Sequence, residues 1–302
     1  GLKVAANGSA TLTGDNTFTG EAQILANATL TLGSGGTTGS VANSSLVSFA
    51  DGSTLRINRS DDLTIASSLY RAGGTNYLVK DGAGKLTLTS SSSNNGFAGT
   101  VTVNAGTLEV RSGLGSSGSV TVQNNDSAVI YNSSATQFIS VLNGTGTFEK
   151  IGTGELRLTT RSGFTGTTTV TGGVLDLRNS VIGGDVVNNA DVWFNSWVNG
   201  TYSGVMSGTG NLTLHSGAVV KLTGANTYAG DTTVYGYLHV GEGGATGSLE
   251  STGISGNGIV YFNRSGTSTY AGDISGSLSL QKWGLGTLIL TGTNTYSGMT
   301  TV

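Results

Sequence analysis

The stretch LILTGTNTYSGMTTV, residues 288–302, decides how the chain is read, because it is written again upstream. It returns as VKLTGANTYAGDTTV at 220–234, LRLTTRSGFTGTTTV at 156–170, LTLTSSSSNNGFAGTVTV at 86–103 and ATLTGDNTFTG at 10–20. The glycine after the aromatic residue falls at Gly20, Gly99, Gly166, Gly230 and Gly298, so the copies lie 79, 67, 64 and 68 residues apart by subtraction. Self-similarity at such a period constrains the architecture before any local motif is weighed.

Outward from each copy the same short segments follow in order. Leu30 and Leu32 alternate with Thr29 and Thr31, and Leu86 and Leu88 with Thr87 and Thr89. A period of two is that of a strand with one buried face, not of a helix. After the Thr-Thr-Val segment come NAGTLEV ending at Val110, TGGVLDL ending at Leu177 and YGYLHV ending at Val240. Glycine-rich corners begin at Gly33, Ser112 and Gly241, and strands ending in Asn58, Asn132, Asn195 and Asn263 come next. A Lys-x-Gly-x-Gly turn from Lys80, Lys150 or Lys282 leads back to the start. Gly, Asn, Asp and Ser supply the positive φ angles that sharp corners require.

The repeat is too long for a propeller blade of about 40–45 residues and too short for a sandwich domain of about 100. An all-β chain wound as a parallel β-helix (β-solenoid) of about 20–25 residues per coil places three coils in each repeat, and stacking makes their core continuous. Residues 1–302 are therefore expected to form a single elongated domain.

The 302 residues are 36% hydrophobic and only 10% charged, with net charge −3 and neither cysteine nor proline. Such a chain is apolar enough to fold. Lack of cysteine removes disulfides, structural zinc and thiol catalysis together. No basic excess is present to hold nucleic acid. Gly1 opens no signal-peptide pattern, and no run of about 18 apolar residues exists. Both ends fall inside a repeat, so the expectation is a fragment of a longer chain.

The pattern G-x-G-x-L-x-L-T-G-x-N-T-Y-x-G-x-T-T-V at 284–302, and partly at 211–234, resembles the passenger-associated repeat of Gram-negative autotransporters. That resemblance implies a right-handed parallel β-helix, display on or release from the bacterial surface, and membrane attachment only through a C-terminal barrel outside this segment. The copies at Ser91 and Thr160 depart from the Asn-Thr-Tyr wording.

Little chemistry stands out, and no catalytic, cofactor or metal residue is expected. His239, between the inward Leu238 and Val240, takes the place of Glu109 and Asp176 and should face solvent. His215 is aligned with Lys80, Lys150 and Lys282 and reads as a surface position. The pairs Gly82/Gly84 and Gly284/Gly286 precede strands rather than opening helices, so they read as corners, not phosphate cradles. Asp61 and Asp62 do not make a calcium loop. The 17 Asp and Glu are scattered. Large residues at outward positions are the exception: Trp193 between Val192 and Phe194, Tyr261 between Val260 and Phe262, and Trp197 and Trp283 in turns. They either contact a ligand or partner or cover their own chain.

These features predict a non-enzymatic surface adhesin that works by self-association with neighbouring passengers or by holding host glycan or matrix protein. The alternatives are a structural stalk for a domain elsewhere and a polysaccharide-cleaving β-helix.

Overall fold

The computed structural model describes residues 1–41, 43–90, 96–112, 114, 120–179, 181–196 and 198–302. Among these the regular elements are short strands, paired in parallel. The chain forms two compact units, Gly1–Leu156 and Arg157–Val302.

In the first unit three walls rise around one core. One stacks Leu2–Val4, Ala22–Ile24, Leu46–Phe49 and Ser68–Arg71. A second runs from Ser9–Leu12 through Thr29–Leu32, Thr54–Ile57, Asn76–Lys80, Gly99–Val103 and Val120–Asn124 to Val141–Gly144. The third carries Leu63–Ile65, Lys85–Leu88, Thr107–Val110, Ala128–Tyr131 and Thr147–Lys150. Register places Leu30, Leu55, Leu78, Val101, Val122 and Leu142 directly over one another, all fully buried. Successive members are 25, 23, 23, 21 and 20 residues apart by subtraction, which is the length of one coil. A fully buried side chain of this size contributes about 1.5–3 kcal/mol.

The second unit repeats the plan. Val174–Leu177, Asp191–Phe194, Asn211–Leu214, Thr232–Val234, Gly253–Gly256 and Asp273–Ile274 form one wall. Asn199–Tyr202, Val219–Leu222, Tyr237–Val240, Ile259–Asn263, Ser279–Trp283 and Thr300–Thr301 form the next. The alternation of Leu or Val with Thr thus yields stacked parallel coils: a β-helix in each unit.

One detail differs from the sequence reading. Lys80 and Lys150 do not lie in the turn but are the last inward residues of their strands, buried, each donating from Nζ to the carbonyl two residues on, at Gly82 and Gly152. Desolvation pushes the Lys150 ammonium down to about 8. The inward pair Phe148 and Lys150 corresponds to Leu212 and Leu214. His215 therefore matches Ile151, not Lys150.

Glycine in Lys-x-Gly-x-Gly answers to backbone proximity between coils. A Cβ on Gly82 or Gly84 would sit 1.9 Å from the carbonyl oxygen of Arg59 or Asp61 in the coil beneath, and one on Gly152 2.2 Å from Ser133. Only a residue without a side chain fits there.

The Asn-Thr-Tyr signature is explained by hydrogen bonds within its corner. Asn226, fully buried, donates from Nδ2 to Gly224 O (3.0 Å) and Ser248 O (3.1 Å) and accepts from the Met206 N–H at 3.0 Å. Tyr228, also buried, lies with its hydroxyl 2.6 Å from Thr232 Oγ1, four residues on; Tyr296 and Thr300 repeat the pair at 2.7 Å. Where the aromatic residue is Phe18 or Phe97, the partner position carries Ala22 or Val101 and needs no donor. The copy at 156–170 breaks this agreement: Phe164 faces Thr168, whose buried Oγ1 has no partner.

Phe164→Tyr should therefore stabilise the chain by about 0.5–1.5 kcal/mol, because it supplies the missing partner, and Tyr228→Phe should cost about 1–3 kcal/mol by orphaning Thr232. Urea unfolding midpoints of the two variants check this, and equal shifts of the same sign would contradict it.

Candidate functional site

In the alignment of the repeats one outward position stands out for its chemistry. It is Glu109 in one repeat, Asp176 in the next and His239 in the third, each between two inward residues. The two carboxylates face out of the coil yet are buried, because long side chains fold over them. Arg111 donates from Nε to Glu109 at 2.6 Å, Asn132 donates at 3.0 Å, and Lys85 lies 3.2 Å away. Asp176 is held by Arg178 at 2.6 Å, with Arg157 at 3.8 Å and Asn195 at 3.2 Å. The Arg111 hydrogen bond, helped by Asn132 and Lys85 against desolvation, holds the Glu109 carboxyl down at about 2. These clusters act as internal braces between neighbouring coils.

The third repeat replaces the brace with rings. His239 stacks on Tyr261, its partner one coil on, with centroids 4.2 Å apart and planes 8° from parallel. Trp283 stands edge-on to both, at 5.9 Å from His239 and 4.7 Å from Tyr261, and its Nε1 donates to Gln281 at 3.0 Å. Burial, then the charge of Lys221, lowers the His239 pKa, with Glu242 opposing. His239 thus points outward as expected, but it is half-covered by the rings rather than free in solvent. Tyr261 departs further from its expected exposure: only 9% remains accessible, because His239 and Trp283 close over it. Trp283 keeps 45% of its surface open.

A second row lies on the adjoining wall. Trp193 meets His215 edge-on at 5.1 Å, and His215 lies 6.5 Å from Tyr235. Trp193 faces out between Asp176 and Thr213 and is half-buried. Trp197 lies outside the described residues. Between the rows the chain turns at Tyr235-Gly236-Tyr237, whose tyrosines are 45% and 42% exposed. The sequence reading missed these two, although the signal was there: Tyr235 and Tyr237 stand where other copies carry the small or polar residues Asn104 and Thr107. Both histidines of the chain are thereby packed among aromatic rings.

For hydrolysis the nearest arrangement is a shallow groove lined by Asp231 and Asp273 with Thr252, Ser255 and Ser275. Each carboxylate is engaged in its own corner: Asp231 accepts from Thr252 Oγ1 at 2.8 Å and Asp273 from the Thr293 N–H at 2.6 Å. Among the described residues no cluster of three or more His, Asp or Glu side chains is placed to hold a metal ion, and no helix is long and apolar enough to cross a membrane.

Comparison with known proteins agrees with the repeat pattern. The passenger-associated-transport-repeat family matches at residues 78–110, 148–177, 205–236 and 280–302. The adhesin BmaC autotransporter of Brucella suis biovar 1 (strain 1330) is 29% identical over 171 residues, 47% of this chain. The match spans 5% of that relative's length. No solved structure matches.

The Glu109 brace predicts an acid-sensitive stability. A carboxyl whose folded pKa lies below its unfolded value stabilises fully above the latter and loses that contribution as pH falls through the former. The urea midpoint should accordingly drop between about pH 4.5 and pH 2, and Glu109→Gln should flatten that part of the profile.

Proposed function

We propose that this chain, a stretch of an autotransporter passenger domain carrying passenger-associated transport repeats, serves as an adhesive module on the outside of a bacterial cell. The observation that supports this most directly is the pair of outward aromatic rows in Arg157–Val302, with Trp283, Tyr235 and Tyr237 left open to solvent. Nothing in the folding of a coil requires rings at those positions, since equivalent sites in other repeats carry Arg56 or Ile130 for Trp193 and Tyr261, Asp81 or Ile151 for Trp283, and Asn104 and Thr107 for Tyr235 and Tyr237. Large amphipathic rings held rigid by their neighbours suit recognition, because they bury much area at little cost in lost rotamers.

Attachment in this reading is non-enzymatic. It acts through shallow contacts multiplied over many displayed copies, which gives avidity without a deep pocket. The named relative is an adhesin, and adhesion is the activity proposed here for the segment. The occupant of the rows is a host glycan, a matrix protein or a neighbouring passenger, and the passenger either stays at the outer membrane or is released.

The test displays the chain on cells through an unrelated outer-membrane barrel and compares it with Trp193→Ala/Trp283→Ala. Attachment to host-cell monolayers and settling of the culture should both be measured. A drop of about tenfold in either, with an unchanged unfolding midpoint, supports the reading. Undiminished attachment and settling in the folded double variant would overturn it.

A further inference from the structure

The chain contains the same corner twice, once complete and once with its counter-ions removed. GSGGTTGS at 33–40 and GEGGATGS at 241–248 adopt one conformation. Gly33, Gly35 and Gly39 have φ of 81°, 93° and 104°, and Gly241, Gly243 and Gly247 have 84°, 88° and 91°. The Gly35 N–H donates to Asn58 O at 2.8 Å, as Gly243 does to Asn263 O at 2.8 Å. Ser60 donates to Gly36 O and Ser265 to Gly244 O, both at 3.0 Å. Asp15 bridges Ser40 in register just as Ala225 bridges Ser248. Under each loop an arginine follows the strand-ending asparagine: Arg59 and Arg264.

In the first corner the guanidinium is saturated. Arg59 Nε and Nη2 donate to the two oxygens of Asp61 at 2.9 and 2.8 Å, while Nη1 donates to Asp15 Oδ1 at 3.2 Å and to Gly39 O at 3.1 Å. The Gly39 N–H donates to the same Asp15 oxygen at 3.2 Å. Asp15 does this from the surface, with 58% of its side chain accessible.

In the second corner both carboxylates are gone. Ala225, exposed, stands for Asp15, and Gly266 stands for Asp61. A Cβ on Gly266 would meet nothing within 4 Å. Arg264 keeps the loop bond, Nη2 to Ala245 O at 2.6 Å, but its Nε is buried without a partner. Among the described residues no carboxylate pairs with it, and the Gly247 N–H has no acceptor. The carboxylate nearest in the loop sequence, Glu242, is taken by Lys221.

We propose that the Arg264 guanidinium and the Gly247 N–H form a binding site for the carboxylate of an acidic sugar, which occupies the surface position that Asp15 fills in the first corner. A charge-assisted bond to a rigid guanidinium fork plus an aimed backbone N–H is a strong carboxylate receptor. A sugar is the occupant because the aromatic row adjoins the corner. Arg264 is three residues beyond Tyr261, and Trp283 pairs in register with Asn263, the residue before Arg264. Three residues of strand span roughly 10 Å, so one short chain of sugars can place a carboxylate on Arg264 and a ring face against Trp283. This deepens the adhesive reading by naming a uronic-acid glycan as the ligand.

The test titrates the chain with an oligogalacturonate, with its neutral methyl ester, and with a glutamate-rich peptide of equal charge. The oligogalacturonate should bind at least about tenfold more tightly than the ester or the peptide. Ala225→Asp, which restores the internal counter-ion, should weaken that binding by about tenfold or more without lowering the unfolding midpoint. Arg264→Lys should weaken it comparably. Oligogalacturonate binding untouched by Ala225→Asp, an ester that binds equally, or a peptide that binds more tightly would each overturn the assignment. Binding is read apart from attachment and settling: a chain that holds the uronate while displaying cells neither attach nor settle supports the site and sinks the adhesive reading alone.

Discussion

Parallel backbone pairing between one coil and the next, at about 4.8 Å, is the interaction on which everything else here rests. It forces like positions to lie above like positions, so an inward residue is a member of a column and must suit the residues above and below it. Leu30, Leu55, Leu78 and Val101 satisfy this by near identity. The same spacing brings carbonyl groups of one coil against the Cα atoms of the next at corners, which is why Gly82, Gly84 and Gly152 can bear no side chain. Lys80, Asn124 and Asn226 enter the column by hydrogen-bonding to backbone carbonyls at hand.

Repetition also lets the chain serve as its own comparison. At one outward position it uses a glutamate under Arg111, an aspartate under Arg178 and a histidine stacked on tyrosine. All three close over the outside of the sheet, two by charge and one by ring faces. The tyrosine-to-threonine pairs likewise differ by whole units, with Phe opposite Ala or Val and Tyr opposite Thr, and Phe164 with Thr168 as the lone mixed case among the described copies. Such agreement between distant positions is what local consistency with a global fold looks like at residue level.

The coil was legible because its signals are local: a period of two, glycine at corners, and a repeat divisible into three turns. Outward direction at Trp193, Tyr261 and His239 followed from the same alternation. What alternation cannot give is the neighbour one coil on, some twenty residues away, and that neighbour sets exposure. Tyr261 is covered because His239 and Trp283 lie at its level. Glu109 is buried on an outer face because Arg111 and Lys85 close over it. The lysine of the Lys-x-Gly-x-Gly motif was placed one residue wrongly, and the error carried His215 with it, since a charged residue next to glycine reads as a turn unless its carbonyl partners are known. Arg59 and Arg264 drew no notice, because their role depends on loops more than fifteen residues earlier.

Vertical alignment has a further consequence for what the outer surface is made of. A charged residue chosen once per coil at the same outward place would stand directly above its own kind, and two like charges about 4.8 Å apart repel by roughly 0.9 kcal/mol even in water. Stacked over many coils, that penalty would mount with every turn added, and the assembly would resist its own lengthening. Threonine, serine and asparagine carry no such cumulative cost, and their hydroxyl and amide groups can bond along the stack, as Asn104 does between Asp81 and Asn125. A chain with only 10% charged residues is, in this light, one whose surface chemistry leaves its length unrestricted.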